Sequence, residues 1–435
     1  MFPKIKEFLN NKDILILGFG KEGRSTLNFV KKHIKYKNLT VADKNLIESH
    51  DLSDVNVLFG EHYMRTLDTY DVIIKSPGIV YENQSLSVIE KTTSQTDLFL
   101  REFRDFTVGI TGTKGKSTTT TLIHHVLSSS KGNSLLLGNI GIPPLDVAEE
   151  MTDSKVAVFE MSCHQLEYEK ISPKVSVILN LFEDHLDHYG TREKYISAKE
   201  NIFLHQSQKD ILVISDTCTD QIKRAPSLNV ITVGTEINSN FSVRNNSIND
   251  TFIIPENISL IGEHNAFNIA VAYAVTKLFD VSDEDFSFAL KTYKSLPHRL
   301  EYIDTKYEVE YYDDSISTIP QTTIQAIKSL KNVETVIIGG MDRGIDYTEL
   351  TDFLQSHFVK NIILLPDTGN RIGAVLSLKK VAFVFANDLS EAVQKAKELT
   401  SPGGKCVLSP AAASYGFYKN FEERGDVFKK LVKNL

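Results

Sequence analysis

A glycine-rich loop at residues 111–118 carries the side chains best suited to hold a phosphate group. The stretch "VGITGTKGKSTTTTLIHHVL" begins as an apolar strand, turns at glycines and continues as a helix. Backbone N–H groups at a helix N-terminus bind phosphate in this setting. Lys116 can reach terminal phosphates, and the Ser117 hydroxyl can coordinate Mg²⁺. Because Ile110 stands where the strict GxxxxGK[ST] motif requires glycine, the loop is a variant of the usual phosphate loop.

Two further segments carry candidate metal ligands. Glu160 ends the apolar run "KVAVFE", where a carboxylate would complete the shell of a Mg²⁺ ion. A lone glutamate at a strand end is more often solvated, but the preceding phosphate loop favours the metal role. The segment "NLFEDHLDHYG" (180–190) places three acids and two histidines after another strand, and His185 is our candidate from it. Lys199, on the next predicted helix, is interpreted from its residue type alone as a solvated charge.

A second glycine motif stands near the N-terminus. The segment "LGFGKEG" contains GxGxxG through Gly18, Gly20 and Gly23, and Asp43 ends the next apolar run. This is the dinucleotide fingerprint, with the acid on a ribose hydroxyl, and it makes a nicotinamide dehydrogenase one alternative. The same N–H groups suit the diphosphate of a nucleotide sugar, with the "KSPGI" turn (75–79) lining the pocket. The motif by itself leaves both ligands open, as well as a purely structural role.

The composition indicates a soluble protein of several domains, because 435 residues exceed one ordinary core. A net charge of −8 excludes a chain that binds nucleic acid by general phosphate attraction. Cys163, Cys218 and Cys406 are too few and too scattered for a disulfide framework or a zinc cluster. We find no signal peptide and no run long enough to span a membrane, so we expect a cytoplasmic protein.

Short apolar runs alternate with helical stretches along the chain, which predicts parallel βαβ units. Three groups of strands are expected. The first comprises "DILILGFG", "NLTVAD" and "YDVIIKSPGI"; the second comprises "FTVGIT", "NSLLLGN", "KVAVFEMS", "KVSVILNL" and "DILVISD"; the third comprises "VEYYDDS", "VETVIIGG", "NIILLP" and "KCVLSPA". The stretch 233–259, rich in Asn and Ser, predicts a β-hairpin or a decorating loop. The fold class is therefore α/β.

An ordered set of motifs, spread over nearly the whole chain, resembles the Mur ligase family. In chain order these are "GITGTKGKST", "GNIG", "FEMSCHQLE", "NLFEDHLDHYG", "GEHNAFN", "LPHRLE", "DDS" and "LSPAAASYGFYKNFEERG". Each is modest alone, but the ordered set is very specific. The last segment resembles the glutamate-adding member. Folylpolyglutamate synthases share the central and C-terminal units but lack such an N-terminal unit.

The resemblance implies three domains and an ATP-dependent ligase. Residues 1–98 would form a Rossmann-like UDP-sugar domain, 99–297 a central P-loop ATPase domain with a parallel sheet, and 298–435 a Rossmann-like domain that contacts amino acid and adenine. The implied reaction adds D-glutamate to UDP-N-acetylmuramoyl-L-alanine through an acyl phosphate, in peptidoglycan precursor synthesis. It implies ATP and Mg²⁺ and no nucleic-acid or membrane partner. Because no long apolar surface helix stands out, we expect a monomer.

The resemblance also implies roles for individual residues. The residues implied to bind the ATP phosphates are Gly112, Thr113, Lys114, Gly115, Lys116, Ser117 and Thr118. The resemblance implies that Asn265 and Asn268 bind adenine and that Arg299 and Asp314 bind ATP phosphate and ribose. The implied magnesium ligands are Ser117, Glu160, His185 and a carbamylated Lys199. The implied catalytic residues are Lys116, His185 and Lys199.

The remaining implied roles concern the two substrates that are joined. The residues implied to bind uridine diphosphate are Gly18, Gly20, Asp43, Lys44 and Ser76. Those implied to bind the muramoyl-alanine end are Asn139 and His185. The residues implied to bind the incoming glutamate are Thr318, Arg343, Ser414 and Phe421.

The chain departs from the family pattern at a few positions. Lys114 replaces an Asn or His of the phosphate loop, and Ile316 and Ile319 replace a lysine and an asparagine of the family's "DSKATN". Arg343 stands where lysine is usual, and its planar fork could compensate for the lost charge by gripping a carboxylate. A sugar-nucleotide sensor that has lost catalysis is a further alternative, which the intact set of phosphate-loop and metal-site residues disfavours.

Overall fold

The computed structural model describes residues 1–46, 52–81, 84–138, 140, 142–225, 228–236, 238–330, 332–356 and 359–435. The chain divides into two compact units. One comprises residues 1–257 with 264–293, and the other comprises residues 258–263 with 294–435. The first unit contains two sheets and the second contains one.

The N-terminal sheet is parallel, with the described strands in the order β3-β2-β1-β4-β5. Its strands are β1 (Asp13–Leu17), β2 (Asn38–Asp43), β3 (Asn56–Phe59), β4 (Val72–Lys75) and β5 (Thr92–Thr93). The helices of this region are α1 (Pro3–Leu9), α2 (Lys21–His33), α3 (Leu86–Lys91) and α4 (Gln95–Phe103). The predicted strands are confirmed, whereas the short strands β3 and β5 were not predicted.

The central sheet has the described strands in the order β14-β13-β12-β11-β10-β9-β6-β8-β7. Its strands are β6 (Thr107–Thr111), β7 (Ser134–Gly138), β8 (Val156–Glu160), β9 (Val175–Ile178), β10 (Ile211–Ser215), β11 (Asn229–Gly234), β12 (Phe241–Arg244), β13 (Ser247–Ile248) and β14 (Phe252–Ile253). Its helices are α5 (Lys116–Lys131), α6 (Cys163–Leu166), α7 (Leu186–Tyr189), α8 (Arg192–Leu204), α9 (Thr219–Arg224), α10 (Glu263–Lys277) and α11 (Asp283–Thr292).

Strands β6, β8 and β9 are buried along their whole length, as expected at the centre of a parallel sheet covered by helices. Strands β12 to β14 pair antiparallel, which confirms the predicted hairpin decoration. Because β8 and β9 flank β6 in parallel register, the segments that follow these three strands emerge at one edge of the sheet.

The C-terminal sheet has the described strands in the order β15-β16-β20-β17-β18-β19, parallel except for the β15–β16 pair. Its strands are β15 (Glu301–Lys306), β16 (Val309–Asp313), β17 (Val333–Gly340), β18 (Asn361–Asp367), β19 (Val384–Phe385) and β20 (Lys405–Leu408). Its helices are α12 (Pro320–Leu330), α13 (Thr348–Ser356), α14 (Thr368–Leu378), α15 (Leu389–Leu399) and α16 (Phe421–Lys433). The predicted α/β class is confirmed in all three sheets.

One glycine of the N-terminal motif is required by close packing between β1 and α2. A Cβ at Gly23 would lie 2.1 Å from the carbonyl oxygen of Gly18, whereas a Cβ at Gly20 would meet nothing within 4 Å. We expect Gly23→Ala to lower the free energy of unfolding by about 1–3 kcal/mol, the usual cost of overpacking. Gly20→Ala should change it by less than about 0.5 kcal/mol. Urea unfolding of both variants checks this, and equal destabilisation would contradict it.

Candidate active site

The phosphate loop joins β6 to α5 and is braced by the segment that follows β9. The backbone N–H of Thr113 donates to the Asn180 carbonyl at 2.9 Å, and that of Lys114 donates to Asn180 Oδ1 at 2.8 Å. The Thr113 hydroxyl lies 3.0 Å from the Tyr195 hydroxyl and accepts from the backbone N–H of Phe182. These bonds brace the loop against the segment that follows β9 and against Tyr195 of α8.

Two loop glycines have backbone angles that disfavour other residues. Gly112 has φ +156° and Gly115 has φ +85°, immediately before α5 begins. A Cβ at Gly115 would lie 2.5 Å from Asn268 Oδ1 of α10, which places that amide against the loop. Asn268 in turn donates to Asn265 Oδ1 at 3.1 Å. The structure therefore brings the predicted adenine residues to the predicted phosphate loop.

Lys116 folds back over the loop. Its Nζ donates to the carbonyl oxygens of Gly112 and Thr113, both at 3.0 Å. Burial lowers the pKa of this ammonium, and the Glu160 carboxylate partly opposes that effect. The first turn of α5 presents backbone N–H groups beside the same ammonium, as an anion site requires.

Lys199 reaches the same loop from α8. Its Nζ donates to the Gly112 carbonyl at 2.9 Å, and its side chain is only 1% exposed. Burial, followed by repulsion from Lys116, lowers its pKa to about 7. The interpretation of Lys199 as a solvated charge is therefore wrong, because the fold covers this lysine with segments distant in sequence. Residue type alone gave no signal of that burial.

Glu160 ends β8 directly beside β6, where its register partner is Ile110. Its side chain is 1% exposed, and it interacts electrostatically with both Lys116 and Lys199. The interpretation as a solvated strand-end acid is thus wrong, because the fold buries this carboxylate. A carboxylate and the Ser117 hydroxyl offer the oxygen donors that Mg²⁺ prefers, so this donor set fits the ion.

His185 lies in a cluster of rings. It is exposed, has φ +52°, and its ring centroid is 5.2 Å from that of His164. His164 also packs against His188 at 4.4 Å between centroids. Burial, with repulsion from the neighbouring histidines, lowers the pKa of His164 to about 4. His164 was not singled out from the sequence, although the Cys-His pair that begins three positions after the β8 carboxylate was a signal that could have identified it.

The N-terminal candidates gather at the carboxyl edge of their sheet. Asp43 accepts the backbone N–H of Phe19 at 2.7 Å through Oδ2 and that of Asn45 at 2.8 Å through Oδ1. The Ser76 hydroxyl donates to the Gly18 carbonyl at 2.9 Å. Lys44 and Gly20 are exposed. Asn139, the remaining sugar-nucleotide candidate, lies outside the described residues.

Lys75, which sequence reasoning missed, is buried at the end of β4 next to Ser76. Its ammonium lies 5.7 Å from the centroid of the Tyr81 ring and 5.2 Å from that of Tyr168. Burial lowers its pKa to about 8. The "KSPGI" turn, which contains Lys75, was the available signal in the sequence. Residue type alone does not show that the ammonium of this lysine is buried.

In the C-terminal unit, Asp314 follows β16 and is fully enclosed. It accepts the Ser409 hydroxyl at 2.7 Å and the backbone N–H of Leu300 at 3.2 Å. Burial raises its pKa to about 7, and the Arg299 guanidinium acts in the opposite direction. Arg299 therefore lies close enough to Asp314 to interact with it electrostatically.

The four glutamate candidates lie on neighbouring segments of this unit. The Arg343 guanidinium donates to the Thr318 carbonyl at 3.0 Å. The other two candidates, Ser414 and Phe421, lie near buried Arg424 of α16. Arg424 donates to the Ala412 carbonyl at 3.0 Å and to the Ser315 carbonyl at 2.8 Å. Ala412 precedes Ser414 by two residues, and the Ser315 hydroxyl donates to the Phe421 carbonyl at 2.8 Å. Arg424 was not predicted as part of the site.

Two family models match the chain. One is described as the Mur ligase middle domain and matches residues 110–276; the other is the MurD-like N-terminal domain of Mur ligases and matches residues 12–95. A UDP-N-acetylmuramoylalanine–D-glutamate ligase of Clostridioides difficile is 32% identical, covering 98% of this chain and 99% of its own length. One of Oenococcus oeni, with the same name, is 34% identical, covering 98% of this chain and 97% of its own length. The chain belongs to the Mur ligase family.

Solved structures agree with this Mur ligase in fold. The MurF ligase of Thermotoga maritima in complex with ADP has a TM-score of 0.61 at 17% identity, with both chains covered fully. The UDP-N-acetylmuramate-alanine ligase MurC of the same organism also has a TM-score of 0.61 at 17% identity, covering 98% of this chain and 100% of its own. Family membership sets aside the nicotinamide dehydrogenase alternative.

The departures from the Mur ligase pattern lie at accessible positions. Lys114 and Arg343 are exposed, and Ile316 is half-buried with its backbone N–H donating to the His298 carbonyl at 3.2 Å. In the described residues, none of the helices combines the length and the apolar character needed to cross a membrane.

Proposed function

We propose that this chain is an ATP-dependent ligase that joins D-glutamate to UDP-N-acetylmuramoyl-L-alanine. The observation that carries the proposal is the convergence of Lys116, Glu160 and Lys199 on a braced phosphate loop. Full-length relatives at 32% and 34% identity that are named for this reaction support the choice of substrates.

The phosphate loop and Lys116 would hold the ATP phosphates. The N–H groups of the first turn of α5 face the anion, and Lys116 offsets negative charge on the transferring phosphoryl group. Asn265 and Asn268 would hold adenine beside the loop. Ser117, Glu160 and His185 would hold one Mg²⁺, which supplies charge neutralisation at the phosphoryl oxygens when bound.

Lys199 is suited to become a further oxygen ligand. A neutral amine nitrogen attacks the carbon of CO₂, an N–C bond forms, and the amine releases a proton. The product carries a carboxylate-like end. Because its pKa is about 7, the amine of Lys199 is substantially neutral near pH 7, which is the reactive form.

The reaction needs no protein nucleophile. The alanine carboxylate of the sugar nucleotide attacks the γ-phosphorus of ATP, and the bond to the ADP oxygen breaks. The glutamate amine then attacks the acyl carbon and loses a proton, an amide C–N bond forms, and phosphate leaves. The chain's residues therefore bind, orient and neutralise charge.

Arg343 would grip a carboxylate of the incoming glutamate through its planar fork. We expect Arg343→Ala to raise the KM for D-glutamate by about 10- to 100-fold, the equivalent of a charge-assisted hydrogen bond. The KM for ATP should stay nearly constant. Arg343→Lys, which keeps the charge and loses the fork, should give an intermediate value. Initial rates at varied glutamate and ATP check this, and an equal rise of both KM values would contradict it.

Phosphate release and product mass test the proposal directly. The protein is supplied with ATP, Mg²⁺ and UDP-N-acetylmuramoyl-L-alanine, together with D-glutamate, L-glutamate or no amino acid. Release only with D-glutamate, with one glutamate added to the sugar nucleotide, is the expected result. Release with another amino acid would overturn the substrate. No turnover despite binding of the sugar nucleotide would favour the sensor alternative.

The proposal includes a division into domains at 1–98, 99–297 and 298–435, and action in the cytoplasm as a monomer. Support for the division comes from the strand ranges, since the three sheets span residues 13–93, 107–253 and 301–408. Sedimentation of the purified chain tests the monomer.

A further inference from the structure

Cys163, His164 and His185 form a compact group of nitrogen and sulfur donors at the edge of the central sheet. One ligand atom from each residue lies within 4.8 Å of the other two. Cys163 and His164 begin α6 just beyond β8, and His185 lies in the segment after β9. The two segments meet because β8 and β9 flank β6. Sequence spacing, which separates these residues by about twenty positions, gave no indication of the group.

Cys163 packs in a small hydrophobic cluster with Tyr189 and Tyr195, but the neighbouring His164 has a feature of a binding site. The Nδ1 atom of His164 is buried, and within the described part of the chain it has no hydrogen-bond partner. A buried polar atom without a partner is costly, and a metal ion would satisfy it. His188, packed on His164, bonds Glu167 at 3.3 Å, which would orient the surrounding rings.

The chemistry of the donors selects the ion. Thiolate and imidazole bind Zn²⁺ and similar transition metals, whereas Mg²⁺ prefers oxygen ligands. Zinc–ligand bonds of about 2.0–2.3 Å place tetrahedral donor atoms about 3.5 Å apart. The donor atoms lie within 4.8 Å of one another, so binding requires them to approach by at most about 1.3 Å.

We propose that Cys163, His164 and His185 bind a divalent transition metal, Zn²⁺ or a chemically similar ion. This site is distinct from the proposed Mg²⁺ ligands Ser117 and Glu160, but it shares His185 with them. Because the two sites share the His185 ring, we expect loading with Zn²⁺ to weaken the binding of Mg²⁺ at its own site.

Cobalt titration of the full chain, with a phosphine in place of thiol reductants, tests the site directly. Co²⁺ occupies Zn²⁺ sites, and its thiolate complexes absorb in the near ultraviolet. We expect this band in the unaltered protein, its bleaching by Zn²⁺, and its persistence in excess Mg²⁺. Cys163→Ser should abolish the band, and His164→Phe should weaken Co²⁺ binding at least about tenfold.

Cys218→Ser is the matched control, because Cys218 is also buried but belongs to no such donor group among the described residues. It should leave the band unchanged. Absence of the band in the unaltered protein, or a band of the same strength in Cys163→Ser, would overturn the proposal. Far-ultraviolet circular dichroism confirms that each variant is folded.

The shared His185 is tested by turnover, and this second measurement rests on the proposed function. Zn²⁺ should inhibit the unaltered enzyme, and Cys163→Ser and His164→Phe should require at least about tenfold more Zn²⁺ for the same inhibition. Equal inhibition of all variants would overturn the sharing of His185. The cobalt spectra decide the site even if the chain proves not to be a ligase.

Discussion

Lys116→Met is expected to lower kcat for phosphate release by at least about 10³-fold while leaving the fold intact. A cation on the transferring phosphoryl group contributes on that scale in phosphoryl transfer. Methionine keeps the length of the side chain and removes the ammonium that bonds the Gly112 and Thr113 carbonyls. Because burial already lowers the pKa of Lys116, its removal should not unfold the protein.

Lys114→Met is the matched control for Lys116→Met. Lys114 lies in the same loop, but its side chain is exposed and its contacts to Asn180 are made by the backbone. We therefore expect a less than about tenfold change in kcat, as for a screened surface charge. Single-turnover phosphate release with all substrates measures both variants. Similar losses in both would mean that loop charge in general, rather than Lys116, supports turnover.

Lys199→Ala is expected to lower kcat by about 10²- to 10³-fold, the cost of losing one preorganised electrostatic contact at the reacting group. The alanine variant also removes the side chain that contacts Gly112 and Thr111, so a small carboxylate such as acetate can be tested in its place. We expect added acetate to restore part of the activity. The unaltered enzyme should lose activity in CO₂-free buffer and regain it with bicarbonate.

Lys199→Met is the companion variant, because methionine fills the space. It should be as inactive as Lys199→Ala and should not respond to acetate. Rescue of both variants, or of neither, together with indifference of the unaltered enzyme to CO₂, would contradict a carbamylated Lys199.

The pH dependence of stability gives an independent measure of unmodified Lys199. Its pKa is about 7 in the folded chain and 10.5 as the ordinary value. Between these values the unfolded chain binds the additional proton, so this group makes the free energy of unfolding rise with pH. Lys199→Met should lack that rise between pH 7 and 10, as measured by urea unfolding in CO₂-free buffer.

Local pattern determined much of this protein from the sequence alone. The alternation of apolar runs and helical stretches predicted the parallel sheets, because burial at a sheet centre needs continuous apolar segments. The phosphate loop and the glycine turn after β1 were predicted because their function lies in contiguous backbone. Strands β3, β5, β11, β15 and β19 were missed. The edge strands β3, β15 and β19 are at most half-buried, β5 has only two residues, and β11 is buried only at its end.

Only the tertiary structure decided which distant residues share a site. Lys199 bonds an oxygen 87 positions away. Cys163 and His164 meet His185 across two strands that flank a third. Whether a lysine or an arginine is buried depends on which other segments cover it. Residue type does not predict which segments these are. Parallel pairing places the carboxyl ends of distant strands at one edge of the sheet. Because this pairing joins segments far apart in sequence, the neighbours and the charge state of each side chain could be determined only from the tertiary structure.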